Sequence, residues 1–236
     1  VLLADPRVEV VHVTSPNQLH VPQVKAILAA GRHVVCEKPL AVTVAESEAM
    51  IAAARYAGVF LMTAYRLHNE PGTVALLEKI REGAIGKPLF FQSVFSFQMG
   101  LANHRLKAEH WGGPLQDVGV YCVNAARHVF GEGPVEATAT LHQPVGDPRF
   151  TEVEASIAAT LRFPSGGIAQ IIASFGAAAV DGYRVTGTEA EIELDPAYRF
   201  ETATTMRLRK NGLIEETRLP QVDHFGGQAA YFSDCI

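Results

Sequence analysis

Two short stretches carry side chains able to do chemistry together. The first is HVVCEKPLAVTVAESEAM, residues 33 to 50, where an apolar strand runs into Glu37, Lys38 and Pro39 before the next helix starts. Ligands of open parallel sheets bind outside the carboxyl ends of the strands, and Lys38 stands just past such an end. Pro39 fixes its own φ and keeps Lys38 out of the helical region, so a short constrained loop carries the ammonium. An ammonium aimed into a cleft can act as acid, base or phosphate-binding cation. The plainer alternative is a solvated loop lysine paired with Glu37. The second stretch, QDVGVYCVNAARH, residues 116 to 128, spaces Asp117, Tyr121, Asn124 and His128 at i, i+4, i+7 and i+11. On a helix that spacing sets all four along one face. The remaining positions are mostly small or apolar, so the polar stripe faces water or a cleft. A phenol near an ammonium gives up its proton more readily, which suits such a pair to proton transfer at an alcohol. The competing assignment makes Asp117 a helix N-cap and Tyr121 a half-buried core residue.

The elements that must position these groups change character along the chain. VEVVHVT, residues 8 to 14, reads as a nearly continuous apolar strand, the kind covered on both faces in a parallel sheet. A helix follows over about 20 to 30, closed by Gly31, then a strand over 33 to 36. The next helix opens at a capping box, Thr43 with Glu46, and ends at Gly58, before a third strand over 59 to 64. Strand, helix, strand, helix, strand with short loops predicts parallel strands, one half of a doubly wound sheet. TSPNQLH, residues 14 to 20, lies at the same rim as Lys38. Thr14, Asn17 and His20 there could donate to a nucleotide, although Ser15, Pro16 and Asn17 serve equally as a turn and cap.

A helix over about 70 to 82 leads into KPLFFQSVFSFQM, a long aromatic strand, and a loop with Gly112, Gly113 and Pro114 precedes a helix over 116 to 130. From Val135 onward the pattern is period-two strands and turns, including a hairpin at Asn211 and Gly212. The fold class is therefore α/β plus α+β: an incomplete Rossmann-type parallel sheet in a first domain, 1 to 70, and a large, mostly antiparallel open sheet in a second, 71 to 236.

Composition narrows the function classes. With 48% hydrophobic and 19% charged residues in 236, the chain has material for a core and no disordered tract. A net charge of −5 without a Lys/Arg cluster argues against nucleic acid as a partner. A long uncharged stretch, 164 to 180, is too short and too rich in Gly and Ser for a bilayer span. Three separated cysteines suggest neither a disulfide framework nor zinc, and favour a reducing, cytoplasmic compartment. Nine scattered histidines show no ligand spacing, so no metal is expected.

CEKPLAVTVAESEAMI, preceded by TSPNQLHVPQVKAILAAGRHV and followed by GGPLQDVGVYCVNAARHVFGEGPVEA and GTEAEIELDPAYRFE, resembles the glucose–fructose oxidoreductase / inositol dehydrogenase (Gfo/Idh/MocA) family of NAD(P)-dependent enzymes. The resemblance covers essentially the whole chain, with separate motifs in the family's order. It implies a Rossmann domain followed by an α+β domain whose open sheet joins homodimers or homotetramers. It implies NAD or NADP as cofactor, Lys38 as the catalytic lysine, and Asp117 and Tyr121 in the substrate site. Many relatives carry histidine where this chain has Tyr121; the tyrosine is like that of the branch acting on aldoses and related sugars, which points to a sugar or polyol substrate. Cofactor contacts are expected from Thr14, Pro16, Asn17, His20, Glu37, Lys38, Arg66 and Arg105, with Tyr65 and Trp111 as further neighbours of the nicotinamide. The family's first strand, glycine-rich turn and next strand, roughly sixty residues, are not in this sequence, and the last helix reads as cut short. Two rivals stand beside the enzyme: a non-catalytic sugar- or nucleotide-sensing regulatory protein on the same scaffold, and an inert subunit assembling through the antiparallel sheet.

Overall fold

The computed structural model describes residues Leu2 to Ile236. They form two compact units, and the division is discontinuous in sequence. The first unit comprises residues up to Arg66 with Ala108–Trp111 and Phe225–Ile236; the second comprises Leu67–Lys107 and Gly112–His224.

The first unit holds β1 (Val10–Val13), α1 (His20–Ala29), β2 (His33–Glu37), α2 (Val44–Ala57) and β3 (Leu61–Ala64), with the strands parallel in the order β1-β2-β3. β2 is central, and its alternation serves two cores. Val34 and Cys36 join Val24, Ile27 and Leu28 of α1 and Met50 and Ala54 of α2. Val35 meets Ala64 and Phe232, the latter from the C-terminal helix, His224–Asp234. β1 departs from the expectation of burial on both faces: Val10 and His12 are exposed and Val13 alone is buried. Burial follows the faces of the strand: Val11 and Val13 pack with the core residues of α1 and α2, while Val10 and His12 lie on the other face. α2 is bounded as its sequence dictates. Thr43 Oγ1 accepts from Glu46 N at 3.2 Å, Glu46 Oε2 accepts from Thr43 N at 3.0 Å, and Gly58 is the left-handed C-cap.

The second unit is an eight-stranded sheet with helices on one face. In chain order it contains α3 (Pro71–Arg81), β4 (Pro88–Gln98), α4 (Val120–Phe130), β5 (Glu136–His142), β6 (Ser156–Arg162), β7 (Ile168–Ser174), β8 (Gly176–Gly187), β9 (Glu191–Asp195), β10 (Thr204–Lys210) and β11 (Leu213–Leu219). The sheet order is β11-β10-β9-β8-β4-β7-β6-β5, antiparallel throughout except where β4 and β7 run parallel. Asn211 and Gly212, at φ 52° and 77°, make the tight turn between β10 and β11, a pair of positive values that explains these residue types. Phe91, Phe95, Phe163, Phe175, Tyr183 and Tyr198 build an aromatic core under α4. On the opposite face Phe90, Ile168, Ile172 and Val180 are exposed. Arg184, Arg207 and Arg209 alternate with Glu191, Glu193 and Glu216 across β8 to β11 as a charged ladder.

The helix expected over 116 to 130 is two segments, a π turn over Leu115–Gly119 and then α4. The extra residue in that turn moves Asp117 out of the α-helical register of Tyr121, and Asp117 is not an N-cap. Among the described residues no helix is long and apolar enough to cross a membrane, and no group of three or more His, Cys, Asp or Glu could hold a metal.

Candidate functional site

In the first unit the carboxyl ends of β1 and β2 share a rim. Thr14 is exposed there, and Glu37 and Lys38 are half-buried, with the Lys38–Pro39 peptide cis. Glu37 turns back along the rim: its Oε2 accepts from Lys38 N at 3.3 Å, and its Oε1 lies 3.5 Å from Nε2 of His12. Burial and the Glu37 charge push the Cys36 thiol up to about 12, which removes it as a nucleophile near neutral pH.

His20 corrects the sequence reading. The ring is fully buried, and Nδ1 and Nε2 each lie 2.9 Å from a backbone carbonyl oxygen, those of Pro39 and Ser15. Neither nitrogen is left for a nucleotide; the ring cross-braces the two loops of the rim. Asn17 also serves the protein itself, its amide donating to Trp111 O at 3.4 Å, while Gln18 Nε2 lies 2.6 Å from His110 Nδ1. These contacts fasten the 108 to 111 turn to the segment beside Pro16. Arg66, expected as a cofactor contact, is buried with its guanidinium 5.7 Å over the Phe225 ring.

In the second unit the π turn carries Asp117, and Arg105 Nε lies 3.0 Å from Asp117 Oδ2. Arg105 is therefore the charge partner of the candidate substrate residue. Its loop is set by Asn103, whose Oδ1 accepts from Arg105 N at 2.9 Å, and by Gly113 N, which donates to Arg105 O at 2.9 Å. Gly112 N donates to Lys107 O at 3.0 Å, and a Cβ on Gly112 would stand 2.3 Å from Arg105 O. Glycine is needed there for close approach.

Tyr121, 7% exposed, packs its ring against Phe95 and Tyr198 at centroid distances of 6.1 and 6.3 Å. Asn124 and His128 go elsewhere, lining a small cavity with His68, Thr73, Leu77 and Tyr183. The His68 and His128 rings meet edge to face at 4.6 Å. Burial lowers the pKa of both below the ordinary histidine value; the His128 charge adds to this at His68, and Arg127 and Arg81 add to it at His128.

The structure thus gathers Thr14, Pro16, Asn17, His20, Glu37, Lys38 and Arg66 in one unit and Arg105, Asp117 and Tyr121 in the other. Sequence reasoning missed Ser93, Asp181 and Tyr198 behind Tyr121. The available signal was a lone acid, Asp181, interrupting the small-residue run AAAV before β8 continues into its buried half.

Known proteins share both halves. A family model described as an oxidoreductase family with an NAD-binding Rossmann fold matches residues 1–65, and one for the GFO/IDH/MocA C-terminal domain matches residues 73–193. A 1,5-anhydro-D-fructose reductase of Ensifer adhaerens is 38% identical over 232 residues, covering 86% of this chain and 69% of that protein. An NADP-dependent D-xylose 1-dehydrogenase of Haloarcula marismortui is 28% identical over 235 residues, 97% of this chain and 65% of that one. The chain therefore spans about two thirds of the length of these relatives. The crystal structure of an aldose-aldose oxidoreductase from Caulobacter crescentus, complexed with glycerol, superposes with a TM-score of 0.93 at 36% identity, over 99% of this chain and 70% of that one. A 3-ketoreductase of Actinomadura kijaniata, solved with NADP and TDP-benzene, superposes at 0.89 with 26% identity, over 100% of this chain and 72% of its own.

Proposed function

Because this chain belongs to the GFO/IDH/MocA oxidoreductase family, we propose that the protein carrying it moves a hydride between a nicotinamide and a secondary alcohol or carbonyl carbon of a sugar or polyol. One observation carries the reading: Lys38 and the Asp117–Tyr121 pair, the groups able to handle an alcohol proton, fall within the two separately matched domains. The rim of the first unit has polar groups of the kind that bind a nucleotide. It offers the Thr14 hydroxyl, the Lys38 ammonium, and Gln18 Oε1, a buried acceptor with no hydrogen-bond partner in the protein.

NAD or NADP, when bound, accepts or donates the hydride. Tyr121 takes the hydroxyl proton as an alcohol is oxidised and returns it as a carbonyl is reduced. Lys38 orients the reacting oxygen by donating a hydrogen bond to it. Asp117 holds the substrate, and Arg105, at 3.0 Å, holds Asp117. A second copy of the chain pairs through the sheet face that exposes Phe90, Ile168, Ile172 and Val180, giving a homodimer or homotetramer.

The test uses the full-length protein with NAD and NADP against a panel of aldoses and polyols. Lys38→Ala and Tyr121→Phe are each expected to lower kcat by about 100-fold or more with the melting temperature held. Wild-type turnover in both variants, or no turnover of any sugar by the unaltered protein with either nucleotide bound, overturns the proposal.

A further inference from the structure

The geometry points to Asp181 and Tyr198 as positioning residues for Tyr121, a clamp built from β8 and the loop after β9 that fixes the plane of the proton-transferring phenol. The inference rests on the role given to Tyr121 above and assigns a function to two residues outside the loops that carry the chemistry.

Asp181 is buried on β8, and an unpaired carboxylate there would be costly. It is fully engaged. Oδ1 accepts from Ala197 N at 3.1 Å and Tyr198 N at 2.6 Å, while Oδ2 accepts from Arg199 N at 3.0 Å and faces Arg199 Nε at 3.4 Å. Burial raises the Asp181 pKa, and the backbone donors and Arg199 oppose that rise. One carboxylate thus fixes three consecutive amides of an irregular loop.

Tyr198 is held at its other end as well. Its ring is fully buried and its hydroxyl lies 2.6 Å from Ser93 Oγ on β4. Between those two anchors the ring stacks on Phe95 at 5.1 Å and 19°, and both rings reach Tyr121, at 6.3 and 6.1 Å. A purely structural core needs apolar volume in this place. Here a buried acid and a buried hydroxyl pair hold the Tyr198 ring, and that ring with Phe95 packs against the phenol at the head of α4. Positional error of about 1 Å at a reacting group costs about 100-fold in rate, so a loose ring behind Tyr121 has a kinetic signature.

The experiment compares Asp181→Asn, Tyr198→Phe and Tyr198→Leu in the full-length enzyme, each alone and combined with Tyr121→Phe. Asp181→Asn and Tyr198→Leu are expected to lower kcat about tenfold or more while the KM for the nicotinamide cofactor stays within about twofold. Tyr198→Phe, which keeps the ring, is expected to cost less than about threefold. In the Tyr121→Phe background neither Asp181→Asn nor Tyr198→Leu should lower the residual rate further, because residues acting through one group are non-additive. Asp181→Asn preserves volume, so it reports even where Tyr198→Leu does not fold. Full additivity, or wild-type kcat in Asp181→Asn, overturns the clamp while a crippled Tyr121→Phe leaves the proposed function standing. Wild-type kcat in Tyr121→Phe itself overturns both.

Discussion

Replacing Gly112 with alanine tests whether the Arg105 loop is set by backbone close approach. The added Cβ would lie 2.3 Å from Arg105 O, 2.7 Å from Arg105 C and 2.8 Å from Lys107 O, all backbone atoms. Relief to 3.0 Å from the nearest of these needs a movement of 0.7 Å, the difference between 3.0 and 2.3. A shift of that size along the bond from Gly113 N to Arg105 O would stretch its 2.9 Å beyond hydrogen-bonding distance. Overpacking costs about 1–3 kcal/mol, and a lost internal hydrogen bond adds about 1 kcal/mol, so a total of about 2–4 kcal/mol is expected. In a unit of this size that lowers Tm by roughly 4–16 °C. Because the same loop carries Arg105 to Asp117 at 3.0 Å, kcat should fall by about tenfold or more on the proposed reaction. Scanning calorimetry and steady-state kinetics on the full-length protein read both. A Tm within 2 °C of wild type, with kcat unchanged, would show that the loop yields freely and that its fit to Gly112 does not place Arg105.

Three further outcomes follow from the same physics. Glu70 is buried and accepts from Gly72 N at 2.7 Å, from Thr73 N and from Thr204 Oγ1 at 3.0 Å; Glu70→Ala removes a helix cap and strands these donors, so denaturant unfolding should show a loss of about 3–5 kcal/mol, and a loss below about 1 kcal/mol would contradict that accounting. His68 and His128 have folded pKa values below the ordinary histidine value, so as pH falls through about 6.5 the unfolded chain binds protons first and stability declines; a His68→Asn/His128→Asn double variant should flatten stability between pH 7.5 and 5.5, and an unchanged slope refutes the pair's involvement. Thr43→Ala breaks the reciprocal cap of α2 and should cost about 1 kcal/mol in chemical denaturation, whereas no measurable loss would mean that packing alone sets that terminus.

The sequence was most readable where structure is decided locally. Thr43, Glu46 and Gly58 bound α2 because caps act over one turn, and Asn211 with Gly212 marks a hairpin because few other residues accept two positive φ values. The parallel start and the antiparallel continuation were also legible, from a change in hydrophobic period. Of the candidate site, the sequence showed where Lys38 stands, just past the end of β2, while the roles of Lys38, Asp117 and Tyr121 belong to the proposal. The site was illegible where distant backbone decides. The burial of His20 depends on two loop carbonyls, those of Ser15 and Pro39, converging on one ring. The π turn adds one residue without a change of pattern, so Asp117 left the expected stripe unannounced. The partnership of Arg105 with Asp117, and of Asp181 with residues 197 to 199, joins side chains to loops that carry no periodic signal. The grouping of Ala108–Trp111 with the first unit is likewise a matter of tertiary contact.

The central place of β4 sets a timetable for synthesis. Its neighbours are encoded far downstream: Phe90 is opposite Ile168, 78 positions later, and Pro88 is opposite Gly187, 99 positions later. At about 5–20 residues per second the ribosome delivers β4 roughly 4–20 s before either flank exists to pair with it. For that interval Phe91, Phe95 and Phe97 have no sheet to enter, and nascent chains arrested before about residue 170 are the ones that holdase chaperones should retain.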